Sequence, residues 1–355
     1  MEGAVSHTRL HGYEVGSAVA ALDESFDEAV SRSGSLELVG ASVAGRRFTV
    51  AYAGAAMQRA LGAALSHLVA PAAQPSELEI LVWDSASTGT PAPPLPEASA
   101  DDPYGAVYVR EAEGVSLVYQ PGPGLLLAYD RAEGRAWCWA RDARALPYWD
   151  GASPFRRIFQ AWLGERGVHL VHAGAIGFAS GGVLVVGRGG SGKSSTCLAS
   201  IGTPLRYAGD DYVAVSVDGR PRVHGLYCSG KLEPAHARRF DNLAAAVDAA
   251  SGADHQEKLV LDVGGCYPDA LVREFPVEAV VLPFVGERTR FTGARPAAVL
   301  AAVGVSTVLQ AQPHDGRSLN AIAQLLRAVP CLRLELGPDV SEAPAAVARL
   351  LGGGA

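Results

Sequence analysis

Gly182-Val183-Leu184-Val185-Val186-Gly187-Arg188-Gly189-Gly190-Ser191-Gly192-Lys193-Ser194-Ser195-Thr196-Cys197-Leu198 holds an apolar run, a glycine-rich turn and the start of a short helix in sequence. Gly182–Val186 is continuously apolar, as expected of a strand buried on both faces. Residues 187–194 satisfy G-x-x-x-x-G-K-[ST] at every fixed position, a match expected by chance in roughly one such chain in 200. Glycines let the backbone wrap so that successive N–H groups face a phosphate. A helix beginning near Lys193 adds the partial positive charge of its N-terminus. The spacing predicts a nucleotide cradle of Gly187, Gly189, Gly190, Ser191, Gly192, Lys193, Ser194 and Ser195. In it Lys193 reaches the β- and γ-phosphates, and the Ser194 hydroxyl is a ligand of Mg2+ beside ATP.

The surroundings of this motif are α/β in character. From Val168 onward strand-like and helical runs alternate. Leu205–Tyr207, Val213–Val217, Leu259–Val263, Val280–Val285 and Leu332–Leu336 read as strands, and Glu233–Ala250, Arg317–Ala328 and Ser341–Leu351 as helices. The first 150 residues carry no chemical motif. Leu36–Ala41, Arg47–Tyr52, Leu78–Trp83, Ala106–Arg110, Val115–Tyr119, Leu125–Tyr129 and Ala136–Ala140 read as strands, and Ala55–Val69 has helical spacing. Ser85 to Tyr104, with Pro91, Pro93, Pro94, Pro96 and Pro103, reads as a loop or linker. Ser153–Arg166 reads as one amphipathic helix, with Ser153 as N-cap and Pro154 at its first position. The expected organisation is a smaller β-rich α+β domain over residues 1–150, then an α/β catalytic domain over residues 151–355.

Composition narrows the function classes. A net charge of −7 without a long basic run argues against a nucleic-acid partner. No apolar stretch approaches the length of a membrane span, and Met1–His7 carries no signal-like pattern, so the expected location is cytoplasmic. Five scattered cysteines, Cys138, Cys197, Cys228, Cys266 and Cys331, without C-x-x-C spacing read as small apolar residues. The chain has 27 arginines and only three lysines, Lys193, Lys231 and Lys258. An ammonium and a guanidinium are not interchangeable, so lysines retained in such a background draw interest.

Asp210-Asp211 follows Lys193 by 17 residues. A short helix and a short strand fit between them, which returns the pair to the phosphate edge of the sheet. Two adjacent carboxylates there can divide labour, one on the metal and one accepting a proton from an attacking hydroxyl. A turn-capping role for Asp210 and Asp211 after Gly209 is the plainer alternative. His172, in the strand-like run from Val168, is placed either to tune that base or as a structural histidine.

His172-Ala173, the Gly187–Ser194 loop and Gly209-Asp210-Asp211, in that order and at short spacing, resemble the HPr kinase/phosphorylase family. They are more similar still to its bacterial relatives that phosphorylate serine on ribosomally made peptides, the lasso-peptide tailoring kinases. The resemblance spans roughly residues 155–340. It implies a P-loop kinase fold of the HPr-kinase/PEP-carboxykinase-like type and transfer of the γ-phosphoryl group of ATP to a peptide serine. It also implies an Asp general base, a metal-holding Asp and a supporting histidine. By that resemblance Asp210, Asp211, His172 and Lys193 are the expected catalytic residues, with Mg2+ on Ser194 and Asp211; which Asp is the base stays open. Ser195 stands where HPr kinases carry an acidic residue, and their Arg-rich C-terminal segment is not found here. Both departures speak against HPr as substrate.

Lys231, Arg288 and Arg290 are the candidate substrate contacts; Lys258 and Arg295 are weaker ones. The expected partners are the nucleotide and a peptide bearing the acceptor serine, the β-rich domain helping to bind it, with no nucleic acid or membrane. The kinases resembled assemble through this domain, so a homo-oligomer stays open. Two alternatives stand beside a peptide kinase: a kinase of a small hydroxylated molecule, and a nucleotide-gated regulatory binding protein.

Overall fold

The computed structural model describes residues 15–71, 75–96, 108–250, 258–308 and 316–352. The expectations for Met1–His7, for 97–107 of the proline-rich stretch and the following strand start, and for the loop 251–257 lie outside the described residues. The chain divides into two compact units. One comprises Met1–Gly62 and Val69–Ile158, the other Ala63–Leu68 and Phe159–Ala355.

The first unit is a seven-stranded mixed sheet with helices. In chain order it holds α1 (Val15–Ser33), β1 (Leu36–Val43), β2 (Arg46–Ala53), α2 (Ala55–Leu61), β3 (Leu78–Asp84) and α3 (Ser85–Thr88). β4 (Tyr108–Ala112), β5 (Val115–Gln120), β6 (Leu125–Asp130), β7 (Arg135–Ala140) and α4 (Tyr148–Ala152) follow. The strand order is β1-β2-β3-β7-β6-β5-β4. α1 escaped the pattern reading. It lays Leu22, Phe26 and Ala29, one stripe at helical spacing, against Trp83, Trp137 and Trp139 on one face of the sheet. Two of those indoles are also satisfied as donors: Trp137 Nε1 donates to Asp23 (2.9 Å) and Trp139 Nε1 to Ser85 (2.9 Å).

Two of the helices expected before Val168 are broken. The stretch from Ala55 stops as α-helix at Leu61 and continues as a 3-10 turn, Ala63–Leu68, within the second unit. The helix expected from Ser153 to Arg166 is interrupted: Ser153 closes α4, Phe155 takes φ 55°, and α5 (Arg156–Gly164) begins after it. Pro154 disfavours a helical residue before it, so α4 ends there rather than running through.

In the second unit the chain continues through β8 (Val168–Val171), β9 (Ala173–Phe178), β10 (Gly181–Val186), α6 (Lys193–Leu198), β11 (Arg206–Gly209), β12 (Val213–Ser216) and β13 (Arg222–His224). Next come β14 (Ser229–Leu232), α7 (Ala244–Ala250), β15 (Leu259–Asp262), α8 (Val263–Cys266), β16 (Glu274–Val285) and β17 (Arg290–Gly293). α9 (Pro296–Val308), α10 (Gly316–Ala328), β18 (Cys331–Leu336) and α11 (Glu342–Leu350) complete it. The helix expected over Glu233–Ala250 is two 3-10 turns followed by α7, with the buried Phe240 at the break between the turns.

β10, β16 and β18 run parallel at the centre of this unit, and β9 flanks β10 antiparallel. β10 alternates as its apolar run requires. Val183 and Val185 pack with Leu198 of α6 and with Ala343 and Val347 of α11. Leu184 and Val186 pack on the other face with Val299 and Val303 of α9 and Ile322 and Leu325 of α10. Burying each such side chain contributes roughly 1.5–3 kcal/mol, so the strand feeding the glycine loop is among the best-anchored parts of the unit. β14 and β15 form a separate two-stranded antiparallel ribbon.

Candidate active site

β10 runs directly into Gly187–Gly192, and α6 starts at Lys193. Gly192, the residue before α6, has φ 102°, and a Cβ there would collide with the Leu336 side chain at the end of β18. Any other residue would be strained and crowded at once, which is why the motif needs glycine at this position. Lys193 is buried; its Nζ donates to the carbonyls of Gly187 (2.8 Å) and Arg188 (3.2 Å), back into its own loop. Burial pushes its pKa down, opposed by Asp210 and Asp211 and reinforced by Lys258. The loop lysine, both carboxylates and a second lysine therefore lie within electrostatic reach of one another. The Ser191 hydroxyl is buried with no hydrogen-bond partner.

Asp210 and Asp211 follow β11, which pairs with β9 next to the loop-bearing β10. Their surroundings differ. Asp210 is 2% exposed, and its Oδ2 accepts the backbone N–H of Lys231 at 3.0 Å. Burial raises its pKa and the neighbouring Asp211 raises it further, while the Lys231 N–H, the Ser194 hydroxyl and Lys193 pull it back. Ser194 thus lies close to this carboxyl, yet no well-formed hydrogen bond reaches Oδ1, which is buried without a partner.

Asp211 is more open, with its side chain 22% exposed. Its Oδ2 takes the Lys231 ammonium at 2.6 Å, and its Oδ1 stands 3.2 Å from His172 Nε2. Burial would raise its pKa, but the Lys231 charge and the His172 contact outweigh it and hold the carboxyl well below the usual carboxylate range. Asp211 is therefore an ionised, oriented acceptor.

His172 occupies the bend between β8 and β9. Its N–H donates to Thr307 of α9 (3.2 Å), and its ring stacks on Tyr212 with centroids 5.2 Å apart. Both are partners that spacing alone did not reveal; Tyr212 had only its place after the acidic pair to mark it.

Of the residues singled out in the sequence, Lys193, Ser194, Asp210, Asp211, His172 and Lys231 come together, and Lys258 lies near Lys193. The arginines make other contacts or face solvent. Arg290 is paired with Glu335 (2.6 Å), Arg288 is exposed in the β16–β17 connection, and Arg295 is exposed ahead of α9. The cysteines are free thiols, four buried and Cys266 half-buried. Among the described residues no helix is long and apolar enough to cross a membrane.

No protein-family model matches the chain, and no curated protein matches it. Among solved structures it is similar to the Hpr(Ser) kinase/phosphatase from Coxiella burnetii, at 13% identity and a TM-score of 0.29. The match covers 52% of this chain and 99% of that one. So slight a likeness leaves the chemistry to be read from the site itself.

Proposed function

We propose that the second unit is a P-loop phosphotransferase that moves the γ-phosphoryl group of ATP to an acceptor hydroxyl. The observation that carries this reading is the meeting of the Lys193 loop with two carboxylates in different states. Asp210 is buried against Ser194, and Asp211 is half-buried, held below the usual carboxylate range and oriented by Lys231 and His172. A buried carboxylate oxygen with no protein partner beside a phosphate loop is the kind of atom a bound cation would satisfy.

The residues present fit a divalent cation. Mg2+ takes one or two protein ligands together with phosphate and water oxygens. The Ser194 hydroxyl and the partnerless Oδ1 of Asp210 are the atoms proposed to hold it. This assigns Asp210, rather than the expected Asp211, to the metal side. When bound, the ion neutralises charge on the phosphate oxygens.

Lys193 exchanges its two loop carbonyls for phosphate oxygens. The acceptor hydroxyl approaches from the solvent side, where Asp211 takes its hydrogen bond. As the new O–P bond forms, the bridging P–O bond to ADP breaks and the hydroxyl proton passes to Asp211. Phosphoryl transfer through a loose transition state moves this proton late. The position and ionisation of Asp211 therefore matter more than its basicity. His172 steadies the second oxygen of the same carboxylate.

The acceptor is proposed to be a serine of a ribosomally made, lasso-type precursor peptide, with the first unit aiding its binding. That finer assignment rests on the arrangement of His172, the loop and the acidic pair in the sequence. Intact-mass measurement after incubating the protein, ATP and Mg2+ with a serine-containing precursor peptide tests it. A gain of one or more phosphates, absent with Lys193→Ala, is the expected result. ATP bound without any transfer to the peptide would move the reading to a small hydroxylated acceptor or a regulatory nucleotide switch.

A further inference from the structure

Lys231 touches both carboxylates through two different parts of itself. Its main-chain N–H donates to Asp210 Oδ2 (3.0 Å) and its ammonium to Asp211 Oδ2 (2.6 Å). The side chain is only 13% exposed, so the charge is spent inside the site. The strand that carries it is itself pinned. Ser229 accepts the Tyr207 hydroxyl at 2.7 Å, which ties β14 to β11, the strand leading to the acidic pair. On the other side Lys231 is in register with Val260 of β15. Between Ser229 and Lys231, Gly230 lies so close to the phosphate-loop helix that an added Cβ would sit 2.6 Å from Leu198 Cδ2. β14 thus rests on α6 while holding both carboxylates.

We propose that Lys231 is a positioning residue, not a substrate contact. It fixes the spacing of Asp210 and Asp211 to each other and to the phosphate loop, with its ammonium orienting Asp211. The inference rests on the phosphotransferase reading. The two bonds are separable by mutation. Lys231→Met keeps the main-chain bond to Asp210 and a side chain of similar length, and removes the ammonium's hold on Asp211. Lys231→Arg keeps the cation, although its planar fork cannot reproduce a single short ammonium bond in full.

The test is steady-state phosphoryl transfer by the full chain, with MgATP affinity measured separately by calorimetry. For Lys231→Met the expected result is a kcat at least 30-fold lower, with MgATP Kd and KM within about twofold of wild type. Lys231→Arg is expected to recover at least half of that loss on a logarithmic scale. A Met variant as fast as wild type, or one whose defect lies in MgATP affinity, overturns the inference while leaving the phosphotransferase reading intact. An Arg variant no faster than Met overturns the electrostatic hold. A wild-type chain that binds MgATP and transfers nothing to any acceptor overturns the phosphotransferase reading, and the inference with it.

Discussion

Asp210 and Asp211 are neighbours in sequence and opposites in environment, and their replacement should separate two effects. Asp210 is buried, its pKa raised by that burial and by Asp211. Asp210→Asn removes a poorly solvated charge while keeping an oxygen to accept the Lys231 N–H. It should raise stability to urea by roughly 1 kcal/mol. Asp211→Asn takes the carboxylate charge away from the half-buried Lys231 ammonium and should cost about 1–3 kcal/mol. Equal shifts in the two midpoints would contradict the distinction. The spacing of the pair could be read in the sequence, but not the division between them. That division is set by Lys231, 20 residues further on, which only the fold brings back.

His67 gives a pH dependence with a definite sign. Burial lowers its pKa from 6.5 to about 4, with nearby Arg273 acting in the same direction and a hydrogen bond to the Gly225 backbone opposing. Its Nδ1 has no partner. A histidine held neutral in the fold binds its proton more readily when unfolded. Stability is therefore full above pH 6.5 and falls as pH drops toward 4, by up to roughly 3 kcal/mol. His67→Phe should flatten that part of the stability-against-pH curve; an unchanged slope between pH 6.5 and 4 would show that His67 does not carry it.

At the scale of elements, the close approach of β14 to α6 predicts an intolerance. Gly230→Ala forces Leu198, and with it the helix that begins at Lys193, to give way. A loss of about 1–3 kcal/mol in urea unfolding, with the m-value unchanged, is expected. A neutral substitution would mean that the ribbon is loosely seated. Strands were read unevenly: β13, β14 and β17 were not expected, and β16 starts at Glu274, ahead of the expected Val280. β10 follows from five consecutive apolar residues, and β12, β15 and β18 fall within about a residue of their expected bounds. Helices were harder where a break is conformational: Phe155 at φ 55° and the turns before α7 leave little trace in periodicity. α1 and α9 have no counterpart among the expected helices, and α3 opens the stretch expected as a loop from Ser85. α9 opens at Pro296 after an arginine-bearing loop and is apolar on most sides, so it has little amphipathic signal to read.

At the scale of the whole molecule, chain order and spatial grouping part company. Ala63–Leu68 lies in the N-terminal half of the sequence but belongs with the second unit, where Cys228 N–H donates to Ala64 (2.9 Å) and Arg273 to the His67 carbonyl (2.9 Å). No composition shift marks such an excursion, because six residues are too few to change any local average. The retained lysines were the better long-range signal. In a chain with 27 arginines, Lys193 and Lys231 meet at the site and Lys258 stands within reach of Lys193.

The glycine loop, Lys193 and the acidic pair are proposed to form one phosphoryl-transfer site. The most direct measurement follows radiolabelled γ-phosphate from ATP in wild type, Lys193→Ala and Asp211→Asn, with MgATP affinity measured on the same samples. Wild type should bind and transfer, and Lys193→Ala should do neither. Asp211→Asn should bind within a few-fold of wild type but transfer at least ~100-fold more slowly. Wild-type transfer by Asp211→Asn, or undiminished MgATP binding by Lys193→Ala, would contradict it.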